Sequence, residues 1–384
     1  MLERARKIQD QLVQWRREIH RHPELGFQEN RTAALVAEVL RSQNYRVRTG
    51  VGRTGVVGEL GQGRPVVAIR ADMDALPLQE ANDMPYSSSL PGVMHACGHD
   101  AHTAIALGAA TLLAQETFPG MVRFLFQPAE EVADEEGVSG APRMIEDGAM
   151  EGVDAVMALH VFTSASVGDI AVEEGPGSAG VDGFSATIYG QGTHGAYPHK
   201  GLDPIYIAAH VVLALHGIVS RRLDPFDAAV VSVGSIHGGQ AENVIPDKVE
   251  ISGTIRYESV EVRQQLCAGI ERALAIARAL GGDYELTFSG GSLPLINDAG
   301  LVRLLREVAS DLLGSEHIIP SEKGMGAEDF SALAAVAPGA MFRLGCRIEG
   351  DERKLHSPDF DLDEGCLPIG TAILAEATLR FLRQ

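Results

Sequence analysis

Three apolar segments decide the fold: PVVAIRA at 65–71, MVRFLFQ at 121–127 and DAVMALH at 154–160. Each has the length and apolar content of a buried strand. A helical pattern over about 101–115 separates the first two, and another near 140–147 separates the last two. This alternation predicts an α/β domain with a mixed, largely parallel sheet and helices on both faces.

The chain changes character after the turn-rich stretch EEGPGSAG at 173–180, a candidate domain hinge. The predicted order then becomes strand, helix, strand, strand, helix and strand, an α+β unit of roughly a hundred residues and so large enough for a domain. Near Pro294 a helical pattern resumes, as if the first domain were being completed. The predicted domains are a discontinuous one, 1–181 with 293–384, and a smaller inserted one, 182–292.

The composition indicates an acidic protein of the cytoplasm. With 52 acidic and 32 basic residues and a formal net charge of -20, the chain is unsuited to nucleic acid or to an anionic membrane. The start at 1–20 is charged throughout and lacks the apolar core of a signal peptide, and we expect no apolar run long enough to cross a bilayer. The cysteines form no C-x-x-C motif, which fits a reducing compartment. They are Cys97, Cys267, Cys346 and Cys366.

The densest cluster of ligand-type residues is HACGHDAH at 95–102. Because it precedes an Ala-rich helix, it should lie at the carboxyl edge of the sheet, where α/β proteins bind ligands. A thiolate at Cys97 and an imidazole at His99 suit a borderline-soft ion such as zinc. An ordinary core would leave several of these buried polar groups without partners, which favours a functional site.

A second cluster, FQPAEE at 126–131, directly follows a strand, so Glu130 and Glu131 should emerge at the same edge. One carboxylate can bind a metal while the other takes a proton from metal-polarised water, as metal-assisted hydrolysis requires. His160 ends the strand DAVMALH, and His356 lies in LHSPDF. A glutamate pair or a lone histidine alone indicates little; their combination with the first cluster predicts a metal site.

Other protein classes remain open from the residues alone. GQGTHG at 190–195 matches the G-x-G-x-x-G pattern of dinucleotide-binding oxidoreductases, but Tyr197 and Pro198 disfavour the helix that would hold a pyrophosphate. A cysteine hydrolase with Cys97 as nucleophile leaves the glutamate pair unexplained. A non-catalytic ligand-binding or metal-binding protein has no need of Glu130.

Ordered motifs extend over essentially the whole chain. They are HRHPELGFQE at 20–29, IRADMDALPLQE at 69–80, HACGHDAHTA at 95–104, FQPAEE at 126–131, LHV at 159–161, THGAYPH at 193–199, DPI at 203–205, NVIPD at 243–247, GTIR at 253–256, GAEDFS at 326–331 and HSPDF at 356–360. Together they resemble the binuclear-metal amidohydrolase family of hippurate hydrolase, N-acyl-amino-acid deacetylases and plant indole-acetyl-amino-acid hydrolases.

The resemblance implies two divalent ions per subunit, of zinc, manganese, nickel or cobalt. The implied metal ligands are Cys97, His99, Glu131, His160 and His356, with Cys97 bridging. Glu130 would be the general base. Asp74 would orient a ligand, or it is a turn-capping Asp, and Asp100 shares that ambiguity.

The resemblance also implies that 182–292 is a lid and dimerisation domain of a homodimer or higher homo-oligomer. His194 would help polarise the scissile carbonyl, reaching across the dimer interface. Asn243 and Arg256 would anchor the substrate carboxylate, unless they are a turn residue and a surface charge. Gly326 is assigned to substrate binding with them.

The expected function is therefore metal-dependent hydrolysis of the amide bond of an N-acetyl, benzoyl or similar N-acyl-L-amino acid. A metallo-carboxypeptidase or dipeptidase of the same chemistry is the alternative. One departure from the family is VADEEGVSG at 132–140, where relatives have a glycine-rich run. Its Asp134, Glu135 and Glu136 would either alter substrate choice or extend a solvated loop.

Overall fold

A computed structural model describes residues 1–384, which form two compact units. The first unit comprises Met1–Gly177, Ile296–Glu322 and Asp329–Gln384, and the second comprises Ser178–Leu295 and Lys323–Glu328. The first boundary lies within the turn-rich stretch 173–180. The second unit includes a short separate segment, 323–328, which the predicted insertion does not contain.

The chain has eleven α-helices and fifteen strands. The helices are α1 (Leu2–Lys7), α2 (Gln9–Arg21), α3 (Asn30–Ser42), α4 (His99–Leu113), α5 (Gly140–Glu146), α6 (Pro204–Arg222), α7 (Val260–Leu274), α8 (Ile276–Ala279), α9 (Ala299–Leu313), α10 (Phe330–Val336) and α11 (Cys366–Leu382). The strands are β1 (Arg46–Val51), β2 (Gly55–Gln62), β3 (Val66–Asp72), β4 (Gly120–Gln127), β5 (Ala155–Ser166), β6 (Ile170–Ala171), β7 (Gly175–Ser178), β8 (Gly180–Tyr189), β9 (Thr193–His194), β10 (Ala229–Gly238), β11 (Val244–Ile245), β12 (Lys248–Tyr257), β13 (Asp283–Gly290), β14 (Leu295–Asn297) and β15 (Gly339–Arg347).

The first unit is built on a seven-stranded sheet of order β1-β2-β4-β3-β5-β15-β6. The central strands β4, β3, β5 and β15 are parallel, whereas β1, β2 and β6 are antiparallel additions. A parallel strand covered on both faces is apolar along its length, and β3 is buried at every position. The predicted mixed, largely parallel sheet is confirmed.

Helices cover both faces of this sheet. Alternate side chains of β5, such as Met157 and Leu159, join the main core together with residues of α4, α9 and α11. Successive strand residues point to opposite faces, so Val156 lies on the other face, close to Gly339 and the α10 residue Ala334. Helices α10 and α5 pack together on that side.

Two strands differ from the sequence-based expectation. Strand β5 continues to Ser166, so His160 lies within the strand and not at its end, because β15 pairs with β5 as far as that residue. Strand β1 was not predicted. Its residues are mostly exposed at the edge of the sheet, and only Val47 and Val51 are apolar, too few for the pattern by which strands are recognised.

The second unit has an antiparallel four-stranded sheet of order β10-β12-β8-β13. Helices α6 and α7 share a core with these strands. We expected no apolar run long enough to cross a bilayer, and α6 shows that this prediction was wrong. By length and composition alone, α6 is apolar enough to cross a membrane. One face of this helix, with Ile207, Val211 and Leu215, is buried in the core of this unit, and 33% of the apolar stretch is buried in all.

Candidate metal centre

Three parallel strands of the first unit bring polar side chains to one edge of the sheet. Strands β3 and β4 end at Asp72 and Gln127, and His160 lies on β5 between them and β15. Helix α4 begins at His99, two residues after Cys97. Because parallel strands share their carboxyl edge, residues far apart in sequence meet there.

The turn that joins Cys97 to His99 requires glycine. Gly98 has a φ of 91°, a left-handed conformation that side chains with a Cβ rarely adopt. A Cβ at this position would also lie 2.3 Å from Cγ2 of Val161. The tight approach of this turn to β5 therefore sets where both predicted ligands lie.

Asp74 contacts two of the predicted ligands. Nδ1 of His99 lies 2.9 Å from the carbonyl oxygen of Asp74 and 3.1 Å from its Oδ1. Since both partners are acceptors, Nδ1 carries a proton, and Nε2 is the nitrogen left to bind a metal. The other carboxylate oxygen of Asp74 accepts the backbone N–H of Glu131 at 3.0 Å. Carboxylates commonly orient metal-binding histidines in this way.

Cys97 lies at the centre of the predicted ligands. Its Sγ is 3.4 Å from Nε2 of His160 and 3.2 Å from Nε2 of His356. The His160 ring donates from Nδ1 to the carbonyl oxygen of Val161 at 2.7 Å, so its Nε2 lone pair faces the sulfur. Nε2 of His356 also lies 3.1 Å from Oε1 of Glu131.

The structure thus brings all five predicted ligands together in two overlapping groups. Cys97, His99 and His160 form one group, and Cys97, Glu131 and His356 form the other, with ligand atoms within 4.8 Å of one another in each. The two groups share only the sulfur of Cys97. That arrangement provides two adjacent subsites with one common ligand.

The residues fit a divalent metal by their chemistry. Nε2 of His99 is buried and makes no hydrogen bond, although buried polar atoms normally have a partner. A cation would give this atom a partner, and Oε1 of Glu131, which lies 3.1 Å from Nε2 of His356, could bind the same kind of ion. Thiolate, imidazole and carboxylate together suit zinc and its borderline neighbours among the first-row metals.

The electrostatics of the cluster agree with this fit. Burial raises the pKa of the Cys97 thiol well above its ordinary value, so a thiolate here needs a cation beside it. Burial lowers the pKa of His160 to about 3, which leaves the ring neutral. Burial opposes ionisation of Glu131, yet hydrogen bonding with His356 and the nearby His99 lower its pKa to about 2.

Glu130 lies beside the ligand cluster. A carboxylate oxygen of Glu130 is within 4.8 Å of ligand atoms of His99 and Glu131. Its Oε1 also accepts the backbone N–H of Asp329 at 3.4 Å. The side chain is only partly buried, so water can reach a carboxylate placed to exchange protons next to the ligands.

Sequence reasoning missed a buried network behind the ligands. The motif HACGHDAH contains His102, for which the sequence predicted no function. Its Nδ1 lies 2.6 Å from Oδ1 of Asp72, and its Nε2 accepts the N–H of Val161 at 2.9 Å. Arg70 donates to Oδ2 of Asp72 at 2.6 Å and to Asp329 at 3.1 Å. The two aspartates of ADMDALP, one on each side of Met73, were the available signal.

The carboxylates of Asp100 and of the acidic insertion 132–140 pair with basic residues and not with the predicted metal ligands. Asp100 pairs with Arg16 and His20, each at 2.8 Å. In the acidic insertion the carboxylate of Asp134 accepts from Arg143 at 2.8 Å and from two backbone N–H groups of its own loop. Arg53 pairs with Asp134 and Glu135, and Arg143 pairs with Glu136. These carboxylates are neutralised within an ordered loop.

Four predicted site residues lie in the second unit. His194 on β9 is paired with Val244 of β11, and Gly195 donates its N–H to the carbonyl oxygen of Asn243 at 2.7 Å. Arg256 is half-buried on β12, while His194, Asn243 and Gly326 are exposed. The structure therefore brings His194 close to Asn243 within this unit.

The geometry disfavours the dinucleotide-binding alternative. Strand β9 lies within GQGTHG and pairs antiparallel with β11. A 3₁₀ turn, Pro198–Lys200, follows the motif, and α6 begins only at Pro204. No helix N-terminus is therefore presented directly after the glycines, as pyrophosphate binding requires.

Comparisons with known proteins agree with this site. The chain is 39% identical to thermostable carboxypeptidase 2 of Saccharolobus solfataricus, over 98% of this chain and 97% of that one. It is 38% identical to IAA-amino acid hydrolase ILR1-like 2 of Arabidopsis thaliana, over 98% and 87% of the two chains. It is also 38% identical to N-acetyl-L-cysteine deacetylase of Bacillus subtilis, over 98% and 89%.

Two solved structures share the whole fold. A protein of methicillin-resistant Staphylococcus aureus has 34% identity and a TM-score of 0.94, covering 100% of this chain and 99% of that one. The Bacillus subtilis YXEP protein, a dinuclear metal-binding peptidase of the M20 family, has 35% identity and a TM-score of 0.86, covering 98% and 99%. A family model, peptidase family M20/M25/M40, matches residues 68–380. The resemblance drawn from the sequence motifs is thereby confirmed, and the chain belongs to the peptidase family M20/M25/M40 of hydrolases.

Proposed function

We propose that this protein hydrolyses the amide bond of small N-acyl-L-amino acids, using two divalent ions and the carboxylate of Glu130. The observation that carries the proposal is the pair of ligand groups that share Sγ of Cys97. Two subsites with one common ligand would hold two ions, whose Lewis acidity suits the activation of an amide carbonyl and of the attacking water. Zinc, manganese, nickel and cobalt all suit these ligands.

The names of the relatives support this substrate class. They are a carboxypeptidase, an IAA-amino acid hydrolase and an N-acetyl-L-cysteine deacetylase. Hydrolysis by each kind of enzyme releases an amino acid from an amide bond. The shared element is the amino acid, and the acyl side varies among them.

The chemistry divides between the metals and Glu130. Divalent ions held by this cluster would supply Lewis acidity, which lowers the pKa of water and polarises an amide carbonyl. Glu130 accepts a proton from the water that attacks the carbonyl carbon. It returns this proton to the amide nitrogen as the C–N bond breaks, so that a carboxylic acid and an amine form, and the acid then loses its remaining proton at neutral pH.

We assign recognition of the remaining substrate groups to residues of the second unit. The guanidinium of Arg256 matches a planar carboxylate, and Asn243 and Gly326 would assist it. His194 would donate to the developing oxyanion. Substitution of Arg256 should therefore raise KM for substrates that bear a free carboxylate.

A peptide substrate is the second candidate. The similarity to the S. solfataricus carboxypeptidase, which is 39% identical to this chain, favours a peptide substrate. The same metals and the base Glu130 would hydrolyse a peptide bond, with an aminoacyl group in place of the simple acyl group. The two candidates differ in whether a free amino group is tolerated next to the scissile carbonyl.

We also propose that the protein works as a cytoplasmic homodimer through its second unit. The acidic composition and unpaired cysteines support the location, and the compact, separate core of the second unit supports its use as an assembly module. Sedimentation of the purified protein at several concentrations tests the dimer.

The decisive experiment combines metal analysis with a substrate panel. The purified protein is assayed with N-acetyl, benzoyl and indole-acetyl amino acids and with dipeptides, before and after chelation and with each metal restored. We expect hydrolysis of at least one N-acyl amino acid, loss with chelator, and rescue by a divalent ion. Activity that survives chelation but is lost with iodoacetamide would instead show a cysteine hydrolase.

A further inference from the structure

A fully buried guanidinium lies among three carboxylates in the first unit. Arg16 is 0% exposed; its Nε donates to Asp100 at 2.8 Å, its Nη2 to Asp361 at 2.7 Å and its Nη1 to Glu364 at 3.3 Å. Burying a charge is costly unless its partners compensate for lost water. The three carboxylates therefore fix the guanidinium of Arg16, and the guanidinium fixes the positions of the carboxylates.

Two of these carboxylates adjoin predicted metal ligands. Asp100 follows His99 directly in the first turn of α4. Asp361 follows His356 by five residues, in the loop from 348 to 365 that separates β15 from α11. Arg16 thus connects the helix that begins at one ligand to the loop that carries another.

The two ligand groups differ in how their residues are supported. Cys97 and His99 are fixed by the start of α4, and His160 by a central strand. His356 has no helix or strand to hold it, has a left-handed φ of 59°, and has a side chain that is 54% exposed. The backbone N–H of His356 donates to the carbonyl oxygen of Ala96 at 2.7 Å, and the contacts of the rest of its loop must hold the loop in place around this bond.

Few side chains tie this loop to the rest of the unit near His356. Oη of Tyr86 donates to the second carboxylate oxygen of Asp361 at 2.8 Å, and Nδ2 of Asn82 donates to the carbonyl oxygen of Phe360 at 2.9 Å. The Arg16 guanidinium also lies 5.0 Å from the ring of Tyr86. Asp361 is therefore the nearer to His356 of two points at which the buried charge holds the loop, the other being Glu364.

We infer that Arg16 is a positioning residue of the metal centre: by holding Asp361 against Asp100, it places His356 opposite Cys97. The inference rests on the proposed function, since it concerns the same two ions. It predicts that the two ions respond differently. If the contacts of Arg16 with Asp100 and Asp361 are lost, the affinity for the ion held by Glu131 and His356 falls, while the affinity for the ion held by His99 and His160 does not.

Two variants and a matched control test this inference. Asp361→Asn keeps the shape of the side chain and removes its charge, and Arg16→Lys keeps a charge but not the fork. Arg6→Met is the control, because Arg6 is on α1, is 55% exposed and pairs with the exposed Glu3, away from the carboxylates of Arg16. Metal stoichiometry and affinity are measured by competition with a chromophoric chelator, together with the melting temperature.

We expect both variants to keep one tightly bound equivalent and to bind the second about 10- to 100-fold more weakly, the usual effect of losing a residue that orients a ligand. Arg6→Met should behave as the unchanged protein. Two equivalents bound with unaltered affinity, or equal weakening of both, would overturn the inference and leave the proposed function standing. If the unchanged protein binds no metal, the proposed function fails as well. If Arg16→Lys does not fold, Asp361→Asn decides.

Discussion

The sulfur of Cys97 lies 3.2 Å from Nε2 of His356, although 259 positions separate the two residues in the chain. The same sulfur lies 3.4 Å from Nε2 of His160. Cys97 is thus the one residue common to both ligand groups. Its substitution should have a different effect from that of any ligand that belongs to a single group.

Removal of single ligands should separate the two subsites. Cys97→Ala should weaken both bound equivalents, because each group loses a ligand. His160→Ala and His356→Ala should each weaken one equivalent and spare the other. Elemental analysis after dialysis against graded chelator concentrations measures this. Identical metal loss in all three variants would contradict a shared sulfur between two sites.

Glu130→Gln should abolish proton transfer without removing the metals. Loss of a general base lowers turnover by about 100- to 10,000-fold, so we expect kcat to fall in that range while metal content stays at the level of the unchanged protein. Glu135→Gln is the control, since Glu135 is 85% exposed and pairs with Arg53. Retained turnover in Glu130→Gln would rule out this residue as the base.

Glu29 should make the stability of the first unit depend on pH. Its buried carboxylate accepts the N–H of Ala129 at 2.8 Å and bonds with Thr54. Burial, with the nearby Asp74, raises the pKa of Glu29 from 4.5 to about 7. The folded state then holds its proton more tightly than the unfolded state, so the free energy of unfolding should fall as pH rises from 4.5 to 7, by about 3 kcal/mol in total.

The variant Glu29→Gln should lose this dependence. Its carbonyl oxygen can still accept from Ala129, and its amide can donate to Thr54. Urea unfolding of both proteins at pH 5 and pH 8, at matched metal content, measures the difference. A fall in stability between these pH values that is equally large in the variant would assign the effect to other groups.

Gly98→Ala should disturb the ligands on both sides of the turn. The left-handed φ and the contact with Val161 should together cost about 1–3 kcal/mol of stability, and metal affinity should fall with it. Gly137→Ala is the matched control, since its φ is 78° but a Cβ there meets no atom within 4 Å. Thermal unfolding and metal titration of both variants separate strain from steric contact.

The central sheet was predictable because its strands are short apolar runs separated by helices, a pattern that is local in sequence. The placement of Glu130, Glu131 and Cys97 at the edge of the sheet was predictable because each residue adjoins such an element. Strand β1 and the extension of β5 to Ser166 were not predictable from the sequence, since both form by pairing with a partner strand and neither has a marked apolar periodicity.

The network of Arg70, Asp72 and Asp329 shows why the rest of the site could not be predicted. Arg70 lies in an otherwise apolar strand, and its partner Asp329 is 259 positions away. No spacing rule connects residues so far apart. The role of Asp134 was equally hidden, because a run of acidic residues gives no sign of which member is buried against arginines.

Strand β15 lies between β5 and the short edge strand β6 of the first unit's sheet, yet it is made only after the whole second unit. A chain still on the ribosome before residue 339 therefore presents β5 with one edge unpaired, and with its apolar side chains incompletely covered. Unpaired strand edges favour association with other chains. Synthesis that stalls or stops within the second unit should thus yield aggregation-prone products, recognised by chaperones, with no capacity to assemble the His356 side of the cluster.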